Sequence, residues 1–454
     1  MNYIIGLIIY VFVLLVIGFV LSKRNPDFDS YFFGQRKLGS FLIFFTVTAS
    51  WFGAASTIAT VNAAYKIGYN AIWMLGIPTI FTIIVFVLIN KKVRETHFIS
   101  LPVLLEKYYG KPVAAFASFL IFFYMVVLAA SQLVAWGTFI SHFTGQSYAI
   151  TVITGALVII IYSYLGGYLS VVITDAVQFS LIVAALVYLM VFFKDSTPLM
   201  LSTDYDLFAN SHYNILMTLS FTLAWLISPI IWQRIGSAKS SRSSKWGLIM
   251  SIVAFSILYY MVIQVGIQMR SYPQTATAGG DLLGALIKNW LPMGGSVLVF
   301  LGIAAAIMST ADTALNVGAL TLVKDVFQVK KKTRAVFWAK IATAVCGGLA
   351  ILIALKFNSI IKTLGLASEI MAEGLFIPGM VMLFFKQKRP LAALFSLILG
   401  GGFSLLVFIN AYGLSLPLPQ WPYSLPLGLG LSLFGFVVGY LIDGRKRKGR
   451  EKMN

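Results

Sequence analysis

The sequence predicts an all-α, polytopic membrane protein of about thirteen transmembrane helices, and three observations carry that expectation. Of 454 residues, 59% are hydrophobic and only 11% are charged. The mean hydropathy is +0.89. The apolar residues are also gathered into long runs separated by short basic tracts. Soluble domains are about half apolar and about a quarter charged, so a chain with so few charges needs the bilayer as solvent for most of its length.

A helix needs about 20 apolar residues to cross the hydrocarbon core. Such runs fall at 3–21, 38–64, 70–90, 113–141, 147–165, 168–193, 213–233, 246–268, 293–322, 334–355, 358–384, 391–411 and 424–442. The first run has no basic residues before it and no small-residue cleavage site after it, so it reads as a helix that stays rather than a removed leader. An odd count puts the termini on opposite sides. With the N-terminus outside, the inner segments hold 28 of the 34 basic residues, Arg234 and the tail from Arg445 to Lys452 among them. Only Lys66, Lys194, Arg270, Lys288, Lys356 and Lys362 fall outside. That asymmetry is what retention of Lys and Arg in the cytoplasm produces. It predicts a plasma (inner) membrane protein with a cytoplasmic C-terminus. It also explains the net charge of +19 without nucleic acid, which is not expected as a partner. The uncharged turn near Gly166–Gly167 reads as tucked into protein, and 273–290 as an outer segment containing a short lid helix.

Two spans look breakable. The second carries Thr46-Val-Thr-Ala-Ser-Trp-Phe-Gly-Ala-Ala-Ser-Thr57, with Gly53 near its middle, and the seventh carries Ser228-Pro229. Proline removes a backbone donor. Inside a bilayer a freed backbone group is tolerated mainly where it lines a cavity. The two spans run in opposite directions, five spans apart. This spacing fits an inverted-repeat transporter with half-helices meeting at the midplane. It fits ordinary kinks with small-residue packing equally well.

Polar groups inside the other runs are the next signal. Ser309 and Thr310 are adjacent hydroxyls in the ninth run, and oxygen donors suit a dehydrated hard cation. Such hydroxyls also commonly bond back to the carbonyl four residues earlier. Asp175, Asp312, Glu369 and Glu373 are carboxylates in apolar spans, where charge is costly and tends to be functional. Asp175 and Asp312 fall in the inner halves of their spans, and Glu369 and Glu373 share one helix face. Hydrogen bonding between helices is the alternative for each. The lone Cys346 allows neither an internal disulfide nor a thiolate metal site. The three histidines, His97, His142 and His212, lie in loops or at span ends, so a membrane-embedded metalloenzyme is disfavoured.

Four segments resemble the sodium:solute symporter family over essentially the whole chain. They are Ser30-Tyr-Phe-Phe-Gly-Gln-Arg-Lys-Leu-Gly39, Ala49-Ser-Trp-Phe-Gly-Ala54, Gly166-Gly-Tyr-Leu-Ser-Val-Val-Ile-Thr-Asp-Ala-Val-Gln178, and the pair Gln233-Arg234…Ala238-Lys239-Ser240 with Ala304-Ala-Ala-Ile-Met-Ser-Thr-Ala-Asp312. The resemblance implies the leucine-transporter-type fold, a 5+5 inverted repeat whose first and sixth core helices are broken. The chain is then one transporter domain, 1–454. An extra helix at 3–21 precedes repeats at 38–193 and 213–384, followed by two C-terminal helices at 391–442 and a basic tail at 443–454. Carried over by motif, it implies a sodium site built from Ala49, Phe52, Ala306, Ser309 and Thr310. Asp175, with Asp312, would then stand at the ion's inner exit. It implies a solute site including Trp51, Gly53, Ser56, Ser228 and Trp136, with sodium as coupling ion and no organic cofactor. Trp51 offers an aromatic face to an organic cation. Alanine at position 55 and tryptophan at 51 argue against a sugar. The expected function is sodium-coupled import of a small organic solute. A proton-coupled carrier using Asp175, Glu369 or Glu373, and a transporter-like membrane sensor, are the alternatives.

Overall fold

The computed structural model describes residues 2–451 apart from 23–27, 273–281, 328, 330–331 and 358. Eighteen α-helices are found among the described residues. They are α1 Asn2–Ser22, α2 Phe28–Phe33, α3 Ser40–Trp51, α4 Thr60–Ile67, α5 Ile72–Glu95, α6 Leu101–Tyr109, α7 Lys111–Thr144, α8 Tyr148–Phe192 and α9 Ser211–Leu226. The second half holds α10 Pro229–Ser237, α11 Ser241–Gln268, α12 Leu282–Asn289, α13 Met293–Thr321, α14 Lys332–Ala354, α15 Ile360–Phe385, α16 Pro390–Ser396, α17 Gly402–Ile409 and α18 Leu425–Glu451.

By length and apolarity, ten stretches can cross a bilayer, or eleven if the bent pair α9 and α10 is one span. Two further apolar helices, Ser40–Trp51 and Tyr148–Tyr164, are shorter. The expected count of thirteen is not reached by length and apolarity alone, because breaks and tight turns divide or join several of the runs. The second expected run is interrupted after Trp51, and its second half, ending in α4, is separated from α5 only by the tight turn Gly68–Ala71, which Gly68 opens at φ 57°. At the expected turn near Gly166–Gly167 the run called α8 is two helices, Tyr148–Tyr164 and Gly167–Phe192, joined at a kink where Gly167 (φ 63°, ψ −172°) takes a conformation that glycine adopts at little cost. Within the expected outer segment at 273–290, α12 is the short helix, and 273–281 lie outside the described residues.

Helix α13 is the centre of the molecule. It is buried from Gly302 to Thr321 and packs on α7, α8, α14 and α3. Small residues permit the closest approach, as where Gly302 lies against Ala185. Large apolar side chains such as Leu88, Phe41 and Phe434 stand exposed on the outer surface, where lipid is their solvent. The start of the first broken span and the end of the second are tied together. Leu38 N–H donates to Ser237 O (3.1 Å) and Lys239 N–H to Leu38 O (2.9 Å), joining the strand-like entry to α3 with the exit from α10.

Candidate functional site

The site forms where both interrupted spans meet α13. Helix α3 ends with Phe52 N–H shared between Thr48 O (3.0 Å) and Ala49 O (3.3 Å). Phe52 then leaves helical geometry (φ −100°, ψ 61°), and a wide turn at Ala55–Ala59 resumes the helix. The break occurs at Gly53 because there is no room for a side chain: a Cβ there would run into Thr310 Oγ1 and Gln132 Oε1. Gln132 Oε1 accepts the Ala54 N–H (3.0 Å), so the opened backbone is paired by an amide from α7. Gly53 O accepts from Thr57 N–H (3.1 Å) and the Thr57 hydroxyl (3.0 Å).

The second break follows Leu226, and α9 and α10 meet at 42°. Pro229 starts α10, where its missing N–H costs little. The Trp232 indole N–H donates to Leu226 O (3.0 Å) and so pairs a carbonyl at the break. That contact fixes Trp232 as a packing residue.

Behind both breaks lies a fully buried polar network centred on Asp175. Its Oδ2 accepts from the hydroxyls of Thr46 (2.6 Å) and Ser50 (3.1 Å), and its Oδ1 from Ser309 (2.9 Å). Arg234 forms an ion pair with the same carboxylate at 3.9 Å. Its Nη2 donates to Ser50 Oγ (2.9 Å) and Thr313 Oγ1 (2.8 Å), and its Nη1 to Gln233 Oε1 (2.9 Å). Gln233 in turn donates to Phe32 O (2.8 Å) and Asn316 Oδ1 (3.3 Å). The assignment of Arg234 to a solvated inner loop is therefore corrected. It is buried within α10, where four oxygens repay part of the cost of removing its charge from water.

The residues expected to hold a cation divide clearly. Ser309 donates to Asp175, and Thr310 bonds back to Ala306 O (3.3 Å) while pressing on Gly53. Ala49 and Phe52 stand at the broken end of α3, and Ser50 between them lies 2.9 Å from Thr313. Two stretches some 260 residues apart thus meet at Ser50 and Thr313, both of which also accept from the Arg234 guanidinium, and the acceptors on these helices are hydroxyls, helix-end carbonyls and the Asp175 carboxylate. Hydroxyl, carbonyl and carboxylate oxygens are the donor set a hard cation takes, so the residues fit sodium. Asp312 is buried on the same helix, and neither carboxylate oxygen has a hydrogen-bond partner among the described residues.

On the other side of Gly53 lies a cavity lined by Ser50, Trp51, Gly53, Ser56, Tyr124, Gln132, Trp225, Ser228 and Thr310 among others. It leaves about 40 Å³ open to the centre of a water molecule, room for a few waters at about 10–15 Å³ each. None of its described lining residues is charged. Ser56 bonds to Tyr259 OH (2.8 Å) and to Trp51 O (3.2 Å). Trp136 is not on this cavity; it packs on Gly155 of α8. Sequence reasoning missed Gln132, Tyr124 and Trp225. Gln132 had a readable signal, an amide in an otherwise apolar run. An aromatic chain leads outward from the cavity. Trp51 and Trp225 lie 5.2 Å apart, Trp225 and Phe221 5.2 Å, and Phe221 and Trp421 5.8 Å, the last on the segment between α17 and α18.

A model described as the sodium:solute symporter family matches residues 31–198. The chain is 22% identical to the sodium/pantothenate symporter of Haemophilus influenzae, covering 98% of this chain and 97% of that protein. It is 26% identical to a high-affinity proline transporter of Bacillus subtilis, covering 97% and 98%. A solved Na+-coupled sialic acid symporter, in a substrate-bound outward-open state, superposes with a TM-score of 0.80 at 19% identity, covering 97% of this chain and 98% of that one. That likeness shows the fold.

Proposed function

We propose that the chain is a member of the sodium:solute symporter family, whose model matches residues 31–198, and that it imports a small organic solute by coupling its entry to sodium across a single transporter domain, with the N-terminus outside and the C-terminus in the cytoplasm. The convergence of Gly53 and Ser50 on Thr310 and Thr313 carries this reading. Sodium is held by the Ala49 and Phe52 carbonyls, Ala306 O, and the Ser309 and Thr310 hydroxyls. Binding there braces the interrupted span and completes the solute cavity beside Trp51. Each ligand then raises affinity for the other by the same factor. Ser309 donates to Asp175, which offers the departing ion a carboxylate toward the cytoplasm. Each positive charge moved inward gains about 2.3 kcal/mol per 100 mV.

The solute is bounded by what lines its cavity. Two tryptophan faces, the Gln132 amide and the hydroxyls of Ser56, Ser228 and Tyr124 offer hydrogen bonds and cation–π contact but no countercharge. Any charge on the solute is therefore met by an aromatic face, by backbone N–H groups of the broken helix, or by the sodium ion. The relatives are named for pantothenate and proline, and one in Drosophila melanogaster for choline. The test begins with thermal shifts of the purified protein with these three compounds, with and without sodium. Uptake into proteoliposomes under an imposed sodium gradient follows. Stabilisation that needs sodium, and uptake abolished by Ser309→Ala, is the expected result. Uptake indifferent to sodium, and unchanged in Ser309→Ala, would refute the assignment.

A further inference from the structure

The solute and sodium site does not use Glu369 and Glu373, and these are the most unusual groups in the rest of the molecule. Both are fully buried near the middle of α15. They are four residues apart and so share one face. That face meets α18 and the Leu397–Gly401 turn. Glu373 lies against Gly428, where a Cβ would collide with its carboxylate, and its own carbonyl lies against Gly400. Ser424 donates to Glu369 Oε2 at 2.7 Å. Glu369 Oε1 and both Glu373 oxygens have no partner among the described residues.

No cation among the described residues faces the pair. On α15 itself Lys362 and Lys386 stand at the two ends. On α18 Asp443 caps the start of α16, accepting from Leu391 and Ala392 N–H, and lies fifteen residues from Gly428, about 22 Å along the helix. Tyr440 is stacked under Arg389 near the same end. On α17 and its continuation, Tyr412 stacks on Phe357. Helix α7 touches the seam at Leu120; its Tyr124 lines the solute cavity, and Lys111 and His142 lie near its ends. On α9, His212 and Tyr213 lie at the outer end against Tyr423, and on α6 Tyr109 donates to Pro378 O.

Two ionised carboxylates side by side, in an apolar seam and without a countercharge, would cost far more than either could recover. A metal ion would need oxygens around it at about 2.3–2.6 Å on several sides, and the Gly428 backbone fills that space against Glu373. A proton needs no such room. We infer that Glu369 and Glu373 form a proton-binding site, separate from the sodium and solute site, that holds α15 against the C-terminal helices while it is loaded. The pair titrates as a unit. Ser424, at the outer start of α18, joins it to the outer segment that carries Trp421, which packs on Gly365 one turn above Glu369.

The test uses the full chain in lipid nanodiscs and needs no solute. Infrared spectra are recorded in H2O and D2O for the wild type and for Glu369→Gln, Glu373→Gln and the double variant. A protonated-carboxyl band present at neutral pH, sensitive to deuterium and lost in the double variant, is expected. The folded state then binds more protons than the unfolded one, so the melting temperature falls as pH rises, and the slope flattens in the Gln variants. Glutamine has the shape and neutrality of the protonated acid, so the single variants keep a folded, monodisperse protein at acid pH. Loss of only ionised-carboxylate bands at neutral pH would overturn the proposal. So would carboxylate bands at this pair that shift on adding sodium or potassium, which would make it a metal site. Neither outcome bears on sodium coupling at Ser309.

Discussion

At the scale of single residues, Arg234 and Gly53 set the terms of the site. Arg234 is a buried cation whose four polar partners are all oxygens, on three other helices and its own. Removing one member of a buried ion pair leaves the other uncompensated and costs about 3–5 kcal/mol. Arg234→Ala is therefore expected to lower the melting temperature sharply and to reduce the amount of monodisperse protein. Ser309→Ala removes one hydrogen bond to Asp175, worth about 1 kcal/mol, so its melting temperature should stay near wild type while sodium-dependent stabilisation disappears. The contrast separates a folding residue from a ligand residue within one network. At Gly53 even a methyl group meets Thr310 and Gln132. Overpacking costs about 1–3 kcal/mol, and here it pushes apart the two segments that the proposed ion bridges. Gly53→Ala should thus lose sodium response while remaining folded, read by thermal shift with and without sodium chloride at constant ionic strength.

At the scale of elements, the α4 end of the broken span is held by one residue. Arg270, just after α11, donates to Ala64 O and Tyr65 O at the end of α4, to Leu199 O, and to the Asp204 carboxylate. These bonds pair the last carbonyls of α4 and tie that half-helix to the 199–206 segment. Burial alone would raise the Asp204 carboxyl, but hydrogen bonds from Arg270 and the Leu201 N–H outweigh it and hold the group below the ordinary carboxylate range. A carboxylate held low contributes stability that is present above its unfolded value, about 3.9, and that is lost as pH falls through the lower folded value. The tie is therefore intact at neutral pH and fails only in strong acid. Asp204→Asn should lower the melting temperature at neutral pH and abolish the part of its acid dependence that comes from this group. Where these elements lie was largely readable in the sequence. Gly53 and Ser228-Pro229 mark the breaks because each breaks a helix by known backbone chemistry. Asp175 was legible because an acid in an apolar run demands partners. The partners themselves were not. Thr46, Ser50, Thr313 and Arg234 come from three distant stretches, and nothing local distinguishes a hydroxyl that reaches Asp175 from one that bonds to its own helix. Arg234 was misread for the same reason: next to a basic loop it looks solvated, and only the packing of α3 and α13 around α10 encloses it.

At the scale of the whole molecule, charge asymmetry and packing make separate statements that one experiment can join. The basic residues assign Lys388, between α15 and α16, to the cytoplasm and Lys356, between α14 and α15, to the outside. Both are exposed. The chain's single cysteine, Cys346, is buried against Gly318 on α13, so a membrane-impermeant maleimide has little native background. In right-side-out cells or vesicles, Lys356→Cys should label without permeabilisation and Lys388→Cys only after it. Equal labelling of both would mean that an even number of crossings separates them. That would undo the reading of α15 as a complete span, and with it the placement of Asp175 and Ser309 on the inner side of the cavity. A third cysteine on the same helix reports motion. Helix α15 carries Leu364 on the cavity wall and Gly365 against Trp421, so opening toward the outside must shift its outer end more than its inner end. Cysteine in place of the buried Leu364 should label slowly, faster in sodium, and slowly again when sodium and a transported solute are both present. A rate indifferent to sodium would show that the ion does not bias the outer half of this helix.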